Sequence, residues 1–344
     1  MAEFLASFED DESPSDWLAL FQHWWDRNPA ASKVPHGWVL EADGRIVGFL
    51  GLIPVRFQLQ GESTVAFSGT TWRVCEEHRA HSLRLMYAAI QGTEDHVLFN
   101  STPIPQVRPI LQRLGFSLIP RDLSSAEHMP AGLLLANPSS AIARRLGGSV
   151  PARALSTVAG PWVGWYQGAK LRFSGRDRFE VERIDSVGDE FDRLWERDRA
   201  RWPTTMDRSR ASLDWYCNAP GGDKVLVAVR RDGELVGSVI YWLRGEDRRL
   251  FECVDMWVGD SDPAAVCAAA AGGLGIARSL GAEVVLFPCF SDSLGKPLSR
   301  ACLTTIELNE RCDFYRWGSA DRTMHTLSAD ETFLTDTVGD NTFF

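Results

Sequence analysis

Residues 65–91, VAFSGTTWRVCEEHRAHSLRLMYAAIQ, carry side chains suited to holding an anion. The first part alternates and is rich in β-formers, which predicts a strand ending near Val74. From His81 onward, Leu83, Leu85, Met86 and Ile90 fall on one helical face. The turn between them holds Arg79, His81 and Arg84 beside the small residues Ala80 and Ser82. A helix start leaves backbone N–H groups unpaired and bears partial positive charge, and small residues let an anion come close to the backbone. The chemistry this suits is the gripping of a diphosphate. An ordinary strand-to-helix turn without a ligand is the competing reading.

Groups for proton transfer are sparse. His78 and His81 lie in the same turn, where they meet phosphate or solvent, and Glu76 and Glu77 are poor company for a diphosphate. Asp255 stands within the apolar run LFECVDMWV and is the candidate catalytic carboxylate, facing a cleft. A strand-edge or paired carboxylate is the alternative. Trp215 and Tyr216, in RASLDWYCNAP, either border an acceptor site or pack in a core. The cysteines are Cys75, Cys217, Cys253, Cys267, Cys289, Cys302 and Cys312, with no C-x-x-C pair and no Cys/His cluster. No metal is expected, and free thiols in apolar runs point to a reducing compartment.

The elements that must position these residues occur twice. Residues 38–50, WVLEADGRIVGFL, and 226–239, LVAVRRDGELVGSV, each read as strand, Asp-Gly turn and strand, with Asp232 lying 189 positions after Asp43. Val97-Leu98-Phe99 recurs as Val285-Leu286-Phe287, 188 positions on. A helical stretch precedes each, Leu83 to Gln91 and Gly272 to Leu280, and another follows, Ile110 to Leu114 and Leu298 to Leu303.

In the first half, residues 3–8 would form an opening strand. Ser15-Asp16 would then cap a helix bearing Trp17, Leu18, Phe21, Trp24 and Trp25, ended by Asn28-Pro29. Residues 121–175 match neither half and read as a helical connector, with a helix near Ser140–Leu146. Its aromatic cluster Trp162, Trp165 and Tyr166 either packs between the halves or lines an acceptor pocket. The expected domains are therefore 1–120, 121–175 and 176–344.

At the turn, the sequence resembles the GNAT acyltransferase superfamily, which joins a strand to a helix through V-x-P-x-Y-R-G-x-G-x-G/A. Val74 takes the valine, Glu76 the proline, His78 the tyrosine, Arg79 the arginine, Ala80 the first glycine and Ser82 the second. Arg84 occupies the last small position, a departure. Residues 100–116, NSTPIPQVRPILQRLGF, are similar to the family's next strand, loop and helix ending in Leu-Gly-Phe.

The resemblance implies an α/β fold of two tandem GNAT-like domains, each a mixed twisted sheet flanked by helices. It implies acetyl-coenzyme A or another acyl-coenzyme A as co-substrate, held by Trp72, Val74, Arg79, Ala80, His81, Ser82, Leu83 and Arg84. Many members carry a Tyr that protonates the leaving thiolate; that position here is Leu111. In the second half the matching run, Ala265 to Ala270, has no Arg, which implies a degenerate half without its own coenzyme site.

The expected reaction is direct acyl transfer to a small amine bound between the halves. A carrier-protein donor or hydroxyl acceptor, and a non-catalytic GNAT-fold scaffold, are the alternatives. A net charge of -10 opposes sequence-independent binding of nucleic acid and the use of aminoacyl-tRNA. The N-terminus MAEFLASFEDDE lacks a basic-then-apolar leader, and no apolar run nears the ~20 residues that span a bilayer. A cytoplasmic location without a membrane partner is the expectation.

Overall fold

Both Asp-Gly pairs turn hairpins. Asp43 and Gly44 take φ 51° and 71°, and Asp232 and Gly233 take 53° and 80°, the left-handed values of a two-residue hairpin loop. The computed structural model describes residues 1–8, 12–101, 103–119, 128–172, 178–220, 223–245, 247, 249–258, 262–309, 314–317 and 327–339.

The chain opens with helix α1 (Ala2–Leu5), not the strand expected over 3–8: its buried residues, Ala2 and Leu5, are spaced by one helical turn. Helix α2 (Pro14–Phe21) is capped by Ser13, two residues before the expected Ser15. Ser13 and Asp16 form a reciprocal capping box, and Pro14 fills the first helical position. A π-helical stretch, Gln22–Asp26, continues it, and Trp17, Phe21 and Trp24 are buried. Asn28 ends the run by donating to Trp24 O at 2.8 Å and Pro54 O at 2.7 Å, while accepting from Ala30 N at 2.8 Å.

Strands β1 (Gly37–Ala42), β2 (Arg45–Leu59) and β3 (Glu62–Val74) form a meander. A 3-10 turn over Glu76–His81 leads into α3 (Ser82–Gly92), then β4 (Val97–Asn100), α4 (Arg108–Arg113) and β5 (Ser117–Leu118). Leu85, Met86, Ala89 and Ile90 of α3 and Leu111 of α4 pack on Leu50, Leu52, Phe67, Val74 and Leu98, whereas Leu83, expected on the same face, is exposed in the first turn of α3.

Next come β6 (His128–Leu135), α5 (Pro138–Arg145), α6 (Val150–Arg172), β7 (Glu180–Ile184), α7 (Asp189–Asp198), β8 (Thr204–Met206) and α8 (Arg210–Cys217). The second hairpin is β9 (Asp223–Arg231) and β10 (Glu234–Arg244), followed by β11 (Leu250–Val258), α9 (Pro263–Ser279), β12 (Val284–Pro288), α10 (Asp292–Ala301) and β13 (Thr304–Asn309). The last strands are β14 (Phe314–Trp317) and β15 (Thr332–Phe333).

Two mixed sheets result. One runs β15-β8-β2-β3-β4-β14-β5, with β1 on β2; the other runs β13-β6-β12-β11-β10-β9-β7. In each, one parallel pair follows the hairpin, β3 with β4 and β11 with β12. The chain groups into two compact units, one from 1–120, 199–221 and 311–344, the other from 121–198 and 222–310. The boundaries expected at 120–121 and 175–176 fall outside the described residues.

Residues 199–221 and 311–344, expected in the second half, therefore belong with the first unit. The expected connector also contains a strand: β6 pairs with both β12 and β13 inside the second sheet. Reciprocally, β14 sits between β4 and β5 in the first sheet. Each sheet thus takes one inner strand from the segment that follows the other sheet's α/β run.

Candidate functional site

Among the described residues, the first sheet opens between β3 and β4. β3 pairs with β4 only from Ala66 to Ser68, opposite Val97 to Phe99. It continues to Val74 along β2 alone, so among the described residues the other backbone edge of 69–74 has no strand partner. A bulge sharpens the parting. The register with β2 shifts between Phe49 and Gly51, and Thr71 takes φ 49°. Gly51 makes room there: a Cβ on it would meet Thr70 Cγ2 at 2.9 Å and Thr71 Oγ1 at 3.0 Å.

Polar side chains line this stretch. The hydroxyls of Ser68, Thr70 and Thr71 are buried and make no hydrogen bond among the described residues. Ser68 is 0% exposed and Thr70 2%. A buried hydroxyl without a partner costs on the order of 1–3 kcal/mol, so three within four residues set this stretch apart from an ordinary apolar strand. Ser68 lies opposite Ile53 and Phe99, and Thr70 opposite Gly51. The sequence reading passed over FSGTT as ordinary strand; a polar run inside an otherwise apolar alternation was the available signal.

Trp72 and Val74 turn the other way. Both pack on the core formed with α3 and α4, and the Trp72 indole N–H donates to Ser82 O at 3.3 Å. Their side chains prop the turn from beneath and leave only backbone for a ligand. Arg79, Ala80, His81, Leu83 and Arg84 are exposed around the turn, and Ser82 is half-buried. Arg84, at the position where the family has a small residue, points to solvent. Arg79 lies 3.9 Å from the Glu76 carboxylate, both well exposed, a pair worth little energy.

The backbone of the turn differs from an open loop. As a 3-10 helix, Glu76–His81 uses amides internally: His78 N donates to Cys75 O, and Ser82 N donates to Arg79 O. No side chain caps α3, whose N-cap position is His81. The uncapped start of α3 is therefore where an anion would meet backbone donors.

The matching corner of the second unit is closed by its own side chains. Asp262 caps α9 by accepting from Ala264 N at 2.9 Å, and its other oxygen lies 3.5 Å from Arg231. A cleft of about 250 Å³ beside it is lined by Phe179, Arg197, Arg231, Glu234, Val236, Asp262 and Ala265. Arg197 is held by Asp198 and Glu234, both at 2.8 Å. The carboxylates occupy the cations that a diphosphate would need. Ala265 to Ala270 lie buried in α9, as the alanine-rich run predicts.

Asp255 belongs to this second unit and is 1% exposed on β11, opposite Ile240. β11 lies between β10 and β12, yet at Asp255 its β12 side has no strand partner among the described residues, which is the strand-edge reading. Its parallel pairing with β12 ends at Glu252, before Asp255. Counted from the pairs Ala66–Val97 and Phe251–Val285, Asp255 stands where Thr70 stands in the first sheet.

The remaining expectations resolve by burial. Leu111 is 0% exposed in the first core, where a tyrosine hydroxyl would have no solvent. Trp215 and Tyr216 are buried packing residues; Trp215 stacks on His23 at 5.0 Å and donates to His23 O at 2.9 Å. Trp162, Trp165 and Tyr166 are not packed: they are 69%, 69% and 51% exposed.

No protein-family model matches this sequence, and neither does any curated protein. Among solved structures, a GCN5-related N-acetyltransferase from Anabaena variabilis superposes with a TM-score of 0.55 at 12% identity, over 92% of this chain and 69% of that one. A conserved protein from Enterococcus faecalis gives 0.54 at 11%, over 92% and 68%. A GCN5-related N-acetyltransferase from Kribbella flavida gives 0.50 at 12%, over 82% and 60%. At such identities the likeness concerns the fold alone. The fold of this chain is similar to that of these GCN5-related N-acetyltransferase structures.

Proposed function

We propose that this protein is an acyl-coenzyme A-dependent N-acyltransferase, acetyl being the simplest acyl group, whose donor lies in the first unit. The observation that carries it is the unpaired edge of residues 69–74 leading into the uncapped start of α3. An extended, amide-bearing arm docks on such an edge as an added strand would. The diphosphate then falls at the exposed turn bearing Arg79, His81 and Arg84. A small amine acceptor completes the proposal, attacking a thioester carbonyl held in place by backbone groups. Asp255 is the proposed carboxylate base, and Asp255→Asn tests it through kcat and its pH profile; an unchanged profile removes it.

A non-catalytic binding role is the second reading, favoured by one observation: Leu111 fills the place of the family's usual acid with a fully buried apolar side chain. Thermal melting with coenzyme A or acetyl-coenzyme A tests donor binding under both readings. A ligand at about a hundredfold over its Kd adds about 2.7 kcal/mol of stability. Ser82→Glu, which places a carboxylate at the start of α3, is expected to abolish the shift, and Asp262→Ala in the second unit to leave it intact. Absence of any shift at saturating ligand sinks donor binding. A shift without turnover of any amine favours the binding role.

A further inference from the structure

The long helix α6 is amphipathic in the reverse sense. Its buried positions are Ala152, Ser156, Gly160, Gln167 and Leu171, mostly small or polar. Gly160 lies so close to α5 that a Cβ would overlap the Ser139 hydroxyl and backbone. Gln167 is bonded to both backbone groups of Leu135, accepting from N at 2.9 Å and donating to O at 3.1 Å. The opposite face carries the large apolar residues. Leu155 is 58% exposed, Val158 65%, Trp162 69%, Trp165 69% and Tyr166 51%. Their spacing of three and four residues makes one stripe, the pattern that normally faces a core.

Charge identifies what covers it. From His128 to Arg172 the sequence has no Asp or Glu, but it has Arg144, Arg145, Arg153, Lys170 and Arg172, in a chain of net charge -10. Arg145, Arg153 and Arg172 are exposed, with Arg153 Nε donating to Gly148 O at 3.1 Å, whereas Arg144 is paired with Glu283 at 2.8 Å. A second copy meeting this face about a two-fold axis would set these like charges against one another. An anionic bilayer complements them, and Trp and Tyr side chains favour the zone where headgroups meet acyl chains. No helix among the described residues is long and apolar enough to cross a membrane, so α6 would lie on the surface.

We propose that α6 docks this protein peripherally on an anionic phospholipid surface. Leu155, Val158, Trp162, Trp165 and Tyr166 enter the headgroup boundary, and Arg145, Arg153 and Arg172 meet lipid phosphates. This association is independent of the acyl-transfer reading. It departs from the sequence expectation of no membrane partner, which rested on spanning segments.

Flotation of the full chain with phosphatidylcholine vesicles, with and without phosphatidylglycerol, tests the proposal. The chain is expected to float with the anionic vesicles, to stay behind with the neutral ones, and to be released by salt. One basic residue near such a surface contributes about fivefold in affinity, so R145Q/R153Q is expected to bind about 25-fold more weakly. W162E/W165E, at two exposed positions, is expected to lose flotation while melting like the parent. If that variant fails to fold, the R145Q/R153Q result decides. No flotation with anionic vesicles, equal flotation with neutral ones, or binding unchanged in R145Q/R153Q overturns the proposal. A concentration-dependent dimer in sedimentation equilibrium, broken by W162E/W165E, would assign the face to a second copy and overturn it also.

Discussion

The Trp72 indole N–H reaches the Ser82 carbonyl at 3.3 Å, tying the end of β3 to the first residue of α3. The bond is on the long side, so it contributes at the low end of what a neutral hydrogen bond supplies, about 0.5–1 kcal/mol. Trp72→Phe keeps most of the buried ring and removes the donor. Its melting temperature is expected to fall slightly, while the stabilisation by coenzyme A falls more, because the start of α3 loses its tether. Equal changes in free and ligand-bound protein would show that the tether serves stability alone.

Ser68 and Thr70 lead to a prediction of opposite sign for stability and function. Replacing an unpartnered buried hydroxyl with an apolar group of similar shape is near neutral or stabilising. S68A and T70V are therefore expected to melt at or above the parent temperature. If these hydroxyls meet the bound thioester or acceptor, each variant loses about tenfold in affinity or kcat/KM, the value of one hydrogen bond near 1.4 kcal/mol. Parent-like kinetics together with raised stability would leave them as unused polar groups.

Thiol chemistry separates the turn from the cores. Burial pushes the Cys289 thiol up to about 11, and burial raises Cys302 likewise. Both stay protonated at neutral pH and are poor nucleophiles. Cys75 and Cys217 are half-buried, whereas Cys253, Cys267, Cys289 and Cys302 are buried. In a Cys312→Ser background, since Cys312 lies outside the described residues, iodoacetamide at pH 8 is expected to label Cys75 and Cys217 first. Coenzyme A is expected to slow labelling at Cys75, which directly precedes the 3-10 turn, and not at Cys217. Mass spectrometry of the labelled peptides reads both outcomes. Protection at Cys217 alone would move the ligand away from the turn.

Local chemistry explains what was legible. Asp43-Gly44 and Asp232-Gly233 announce their hairpins because only residues tolerant of positive φ make that turn cheaply. The strand, turn and helix over 62–92 follow from a change of hydrophobic period, and Leu85, Met86 and Ile90 of α3 are buried as their spacing predicts, while Leu83 is exposed. Helix α6 was hidden because Pro161 lies inside it and Gly160, Gly164 and Gly168 weaken the helical signal. The sequence leaves its aromatics between core packing and an acceptor pocket, because large apolar side chains are usually buried. The unpaired edge of 69–74 and the place of β6 depend on partners far along the chain, and nothing in either segment records them.

The crossing of β6 and β14 into opposite sheets has a consequence for the order in which a ribosome could complete this protein. Every strand of the second sheet has been made once residue 309 emerges. The first sheet, whose earliest strand begins at Gly37, must wait for Phe314–Trp317 to fill the slot between β4 and β5. Until then those two strands present raw edges to any neighbouring nascent chain. The domain whose synthesis starts first is the one that closes last.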